Sequence, residues 1–156
     1  KLYPAIGALI LNWALIESVL EKWVATIYHC ADGKSIDAEI PRMYSPKVKF
    51  LRRCFNRLNA LESFKPKAIE YLDEADRLAE IKSIVTHGAV SSFDPKSEKI
   101  EFTRLDVDRQ RSIHTVRSNQ LSVTDIMNAG NAGILLCQNV VTLGHSMLSS
   151  LSGDQN

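Results

Sequence analysis

"AEIKSIVTHGAV", residues 79–90, decides how the rest of the chain is read. Its first nine residues continue an amphipathic helical pattern, and Gly88, Ala89 and Val90 break that pattern in favour of a strand. The switch sets a long helical part before it and a short β segment after it. The same junction carries Lys82, Ser83 and His87, which makes it the first candidate for chemistry.

Working back from the junction, residues 66–87 read as one helix opened by Pro66. Its early residues are acidic: Glu70, Asp73, Glu74, Asp76 and Glu80 stand against Arg77. Acids there complement the helix dipole. A preceding helix over 46–61 would bury Val48, Leu51, Phe55 and Leu58. Between residues 42 and 67 lie eight basic residues and one acid, Glu62. The basic and acidic blocks are either two solvated faces that pair with each other or, for the basic one, a phosphate-binding strip holding Arg52, Arg53 and Arg57 with Phe50, Phe55 and Phe64 interleaved.

At the start of the chain, residues 4–30 predict a long helix ended by "ADGKS". Ile6, Ile10, Trp13, Leu20, Val24 and Ile27 form one stripe, and Leu9, Ile16, Val19 and Trp23 form a second beside it. The apolar arc is wider than one packing partner requires, so this helix is expected to meet two neighbours, or a neighbour and a second subunit. Glu17 lies on the first stripe and would point inward, where Lys82 is its natural counter-charge.

Beyond the junction, "AVSSF", "KIEFTRL" and "RSIHTVRS" are β-formers separated by the turn clusters "DPKSE" and "DVDR", which predicts a short antiparallel meander over 89–118. "SVTD" at 122–125 is a capping box with Asp in the Glu position, opening a last helix over 123–150. Gly130, Gly133 and Gly144 share a stripe of that helix with Cys137 and Val140. Each interior Gly costs about 1 kcal/mol against Ala, so the stripe points to close approach of another helix. The final "SSLSGDQN" is expected to fray. The fold class is therefore mainly α: a four-helix up-and-down bundle with a small antiparallel β-hairpin or meander between helices 3 and 4, in a single domain spanning 1–156.

Bulk properties set wider bounds. The 156 residues are one domain's worth, and 19 basic against 18 acidic side chains name no partner by net charge. Cys30, Cys54 and Cys137 form no C-x-x-C and are odd in number, which predicts neither disulfide framework nor zinc site and suits a cytoplasmic location. "LYPAIGALILNWALI" resembles a signal core, but it contains Asn12, runs into Glu17, Glu21 and Lys22, and is shorter than the roughly 20 apolar residues of a membrane span. No membrane partner, metal or cofactor is expected. Nucleotide-binding glycine motifs and the nucleophile-elbow motif are absent from the sequence.

At the junction itself, His87 on a last helical turn meets the negative end of the helix dipole, which favours the imidazolium. From position alone the plainer reading is a helix-capping His. Ser83, four residues earlier, shares its face, whereas Lys82, five earlier, is turned about 140° away in an ideal helix. Lys82 also continues a stripe of Ala75, Leu78, Ala79 and Val85, which predicts a partly buried cation.

An opening helix with "NWALIESVL", then "SPKVKFLRR", then a helix ending in "KSIVTHG" before a strand resembles the HEPN domains, compact helical bundles of prokaryotic toxin, antiphage and RNA-processing systems. The resemblance spans nearly the whole chain. It rests on a short signature: an Arg, usually a polar residue next, and a His four to six residues on. On this sequence His87 matches the His, Ser83 the polar position, and Lys82 stands where the family has Arg. The resemblance implies metal-independent ribonuclease chemistry, with His87 moving a proton at the ribose 2′-OH and the cation stabilising the phosphoryl intermediate. It also implies a homodimer, through the first and last helices, with both signatures on one cleft, and a cognate antitoxin or nucleotidyltransferase as partner. Lysine at 82 keeps the charge but loses the planar fork that grips two phosphate oxygens. Three functions follow: a dimeric interaction or RNA-binding module with a degenerate signature, a metal-independent endoribonuclease using His87, Lys82 and Ser83, and a purely structural dimerisation domain.

Overall fold

The computed structural model describes residues 1–108 and 113–153. Four helices are present: α1 (Leu2–Cys30), α2 (Tyr44–Arg57), α3 (Lys65–His87) and α4 (Val123–Gly153). Between α3 and α4 lie three strands, β1 (Ala89–Asp94), β2 (Lys99–Asp108) and β3 (Ile113–Ser122), joined in the order β1-β2-β3 with both pairs antiparallel. The meander runs four residues further than its sequence pattern suggested, to Ser122. Residues 109–112, which hold the end of the expected "DVDR" turn and the start of the expected third strand, lie outside the described residues, as do 154–156, where fraying was expected.

The chain divides into two compact units, to both of which α1, α3 and α4 contribute. One comprises Lys1–Trp13 and Arg77–Gly133 and contains the whole sheet. Among the described residues its buried apolar side chains are Ala5, Leu9, Trp13, Leu78, Ile100, Phe102, Val123, Ile126 and Ala129. Alternation along β2 puts Ile100 and Phe102 on the inward face, and the ladder sets Leu121 and Asn119 of β3 beside them. The predicted capping box forms: the Ser122 N–H donates to Asp125 Oδ2 at 2.7 Å, and the Asp125 N–H donates to Ser122 Oγ at 3.0 Å. The backbone bond from Ser122, followed by its hydroxyl, holds the Asp125 carboxyl below its usual range. Gly130 comes close to the backbone of Leu9, and Asn12 Nδ2 donates to Gly130 O at 2.9 Å.

The other unit comprises Ala14–Asp76 and Ile134–Asn156. Trp23 organises it. Its Nε1 donates to Val140 O at 3.0 Å, its ring meets Phe55 edge-on, and its indole occupies the space that a Cβ on Gly144 would fill. The glycine stripe of α4 works as expected at Gly144, where the missing side chain admits Trp23, whereas at Gly130 a Cβ would make only ordinary contact with α1. Asp32, in the left-handed region at φ 61°, turns the chain out of α1, and Gly33 packs against the backbone of Ile27 and Tyr28.

Three sequence expectations need correction. Helix α2 ends at Arg57 rather than 61, because Leu58 is extended and a 3-10 turn over Asn59–Phe64 then buries Leu61. The buried line of α1 is Ala5, Leu9, Trp13, Ile16, Leu20, Trp23, Val24 and Ile27, so Ile10 of the first stripe faces outward. By length and composition α1 and α4 are each long and apolar enough to cross a membrane, which corrects the view of the opening run as too short. Only 28% and 22% of their most apolar windows are buried, so both helices hold apolar surface in reserve.

Candidate functional site

The junction residues fall within the sheet-containing unit. His87 is the last residue of α3 and is exposed. Ser83, one turn earlier, is half-buried, as is Lys82. Thr86 Oγ1 donates to Lys82 O at 2.8 Å, a local bond that occupies one of the carbonyls near the helix end. The Gly88 N–H donates to Ile84 O at 2.9 Å. No glycine has a positive φ, so Gly88 does not end the helix through a left-handed turn. A Cβ at position 88 would lie 2.6 Å from Ile84 O and 2.9 Å from Phe102 Cβ. Glycine is needed here because the Ile84 carbonyl on one side and Phe102 of β2 on the other lie too close for any side chain.

That close passage carries a residue the sequence reading missed. Arg104 follows Ile100 and Phe102 on the inward face of β2, and its Nη1 donates to Ser83 Oγ at 3.0 Å. Its Nε donates to Asp106 Oδ1 at 2.8 Å, and Arg117 Nε of β3 forms an ion pair with Asp106 Oδ2 at 2.7 Å. Ile84, Gly88, Phe102, Arg104 and Asn119 line a shallow crevice between α3 and the sheet. The guanidinium beside the Ser83 and His87 face therefore comes from the sheet, whereas Lys82 is turned about 100° around the helix from Ser83. The signal in the sequence was the alternation of "KIEFTRL", which continues two buried apolar positions into an arginine.

The basic run sits in the other unit: Lys47, Arg52, Arg53 and Lys67 pair with acids, whereas Arg42, Lys49, Arg57 and Lys65 make no ion pair among the described residues. Arg52 pairs with Asp73 at 2.7 Å and Asp76 at 2.9 Å, Arg53 with Asp37, and the buried Lys47 with Glu21 at 3.3 Å. Burial works against the charged form of Arg52, but its bonds to Asp76 and Asp73 outweigh this and hold its proton more tightly than usual. Tyr44 Oη donates to Asp76 at 2.9 Å, and burial first, then the Asp76 charge, pushes the phenol's pKa far up, with Glu17 adding to the shift. Of the three candidate RNA-binding arginines, then, Arg52 and Arg53 hold acids and the exposed Arg57 makes no ion pair among the described residues. Phe50 and Phe55 are buried, so neither offers a ring for base stacking. Glu17 is half-buried in this unit, and Lys82 belongs to the other.

Among the described residues no group of three or more His, Cys, Asp or Glu side chains converges to hold a metal ion. The three cysteines are free; Cys54 is fully buried, and burial pushes its thiol up to about 12. The end of α3 brings together a half-buried serine, the guanidinium held against it and, one turn on, an exposed imidazole. No protein-family model, curated protein or solved structure matches the chain.

Proposed function

We propose that the chain is an HEPN-like domain of a prokaryotic defence or toxin–antitoxin system that binds RNA as a cytoplasmic homodimer, with a catalytic signature degenerate at Lys82. The observation that carries this reading is the exposed end of α3, where His87 and Ser83 share a face and a guanidinium is held against Ser83. A face of that kind suits a phosphodiester: it supplies donors to the phosphate and an imidazole within reach of the adjoining sugar.

The four helices are taken to pack as an up-and-down bundle, with the sheet as an insertion between the third and fourth. Dimerisation through the first and last helices is supported by their exposed apolar side chains, Tyr3, Leu11 and Leu15 on α1 and Met127, Ile134 and Leu135 on α4. Polar residues such as Ser18, Glu21 and Lys22 of α1 and Gln138 and Thr142 of α4 are exposed on the same helices, which suits a protein partner better than lipid. A cognate antitoxin or a nucleotidyltransferase is the expected companion.

Metal-independent endoribonuclease activity is the second reading, favoured by the exposure of His87 one turn from Ser83, against which Arg104 is held. Incubating purified protein with single-stranded and structured RNA in excess EDTA separates the two. The RNA-binding module retains RNA without cutting it, and Lys82→Arg alone restores cleavage. Cleavage by the wild type that survives chelation, leaves 2′,3′-cyclic phosphate ends and disappears in His87→Ala establishes the nuclease instead. Absence of both binding and cleavage leaves the structural dimerisation domain.

A further inference from the structure

The ladder sets Arg104 of β2 directly opposite Arg117 of β3. Like charges so placed repel and destabilise a sheet unless an anion bridges them. Asp106 is that bridge, giving one oxygen to each guanidinium. One carboxylate cannot neutralise two arginines, so the trio carries a net positive charge. The carbonyls at the C-terminal end of α3 offset part of it. Lys82 and His87 lie on the same two turns and share that negative end, so among the described residues part of the sheet's surplus charge remains.

The two guanidiniums are also held differently. Arg104 is fixed on two sides, through Nε to Asp106 and through Nη1 to Ser83, and its side chain is 35% exposed. Arg117 is fixed on one side and 67% exposed. A guanidinium has five donors, so each retains N–H groups beyond those bonds, and a planar fork matches two phosphate oxygens. We propose that Arg104 and Arg117 form a phosphodiester-binding site for RNA, which brings the backbone to Ser83 and His87 while Asp106 limits its affinity. This rests on the RNA-binding reading and supplies what that reading lacks, a guanidinium on the face of Ser83. The cation is contributed by the sheet, 21 residues beyond Ser83 in sequence.

The test is fluorescence anisotropy with a labelled mixed-sequence single-stranded RNA over a salt series, using wild type, Arg104→Gln, Arg117→Gln, Asp106→Asn and His87→Ala, with thermal denaturation as the check on folding. The proposal expects Arg104→Gln to weaken binding about tenfold at low salt and to flatten the log–log salt dependence by about 0.7 for each phosphate that is no longer neutralised. Arg117→Gln follows in the same direction with a smaller loss. Asp106→Asn is expected to tighten binding, because it releases a positive charge; a merely structural trio would lose binding in that variant. Weaker binding by both Arg104→Gln and Asp106→Asn overturns the proposal. So does a wild-type affinity and salt slope in Arg104→Gln when His87→Ala weakens binding, and in that case the reading of the α3 site survives. A wild type that binds no RNA overturns both.

Discussion

Two cationic regions of this chain have opposite fates. The run from Arg42 to Lys67 is conspicuous, with eight basic residues against one acid, yet its central arginines are spent on Asp37, Asp73 and Asp76. The end of α3 shows only Lys82 and His87 in the sequence, yet the fold adds Arg104 and Arg117 with a single carboxylate between them. The site proposed at the end of α3 is identified by charge left over after folding. Density of Lys and Arg along the chain does not measure that remainder.

The most damaging single change should be at Gly88. An added methyl has to displace Ile84 O or Phe102, so Gly88→Ala is expected to cost about 2 kcal/mol and, by shifting β2, to disturb the hydrogen bond from Arg104 to Ser83 as well. Chemical denaturation measures the first effect and RNA affinity the second. A cost no larger than at Gly7, where a Cβ meets nothing within 4 Å and Ala should stabilise by up to about 1 kcal/mol, would remove the packing role assigned to residue 88.

Arg52→Ala comes next and sharpens the contrast. It leaves Asp73 and Asp76 adjacent without their shared cation, for an expected loss of about 1–2 kcal/mol and a fall of a few degrees in Tm, with RNA affinity unchanged. Arg117→Ala should do the reverse, changing stability by less than about 0.5 kcal/mol while lowering affinity. If Arg52→Ala weakened RNA binding at full stability, the division between the two regions would break down.

The effect that is smallest at neutral pH, and emerges only in alkali, belongs to Cys54. The folded Cys54 thiol is pushed up to about 12 by burial, whereas the unfolded thiol ionises near its ordinary 9.0, so the unfolded state loses its proton first. Stability from this group is intact below pH 9 and declines as pH rises toward 12. Cys54→Ala should flatten that part of the stability profile, read from denaturation midpoints. In the native protein the exposed Cys30 should be alkylated well before Cys54.

Much of the fold was legible because helices and strands announce themselves by period. The helix ends of α1 and α3, the three β segments and the Ser122–Asp125 box were all readable in one dimension. Two interleaved stripes on α1 were not, since spacing fixes which residues share a line but leaves open which line the neighbours cover; Leu9 and Ile16 won over Ile10. Gly88 was read as a helix stop and α3 does end at His87, but the closeness of Ile84 O and Phe102 that bars a side chain there is a distance the sequence does not carry. Of the candidate site, Ser83 and His87 were visible as a pair on one face. Arg104 was hidden by chain separation, although an arginine ending the inward series Ile100, Phe102 was a usable sign that a charge is carried toward the core side of the sheet.

The most direct measurement compares two double variants, Arg104→Gln with Arg117→Gln and Arg52→Gln with Arg53→Gln, in a salt series of single-stranded RNA binding. The account predicts that the first pair loses most of the affinity and flattens the salt dependence, while the second keeps wild-type binding and loses thermal stability. Retained affinity in the first pair together with lost affinity in a folded second pair would contradict it and return the RNA site to α2.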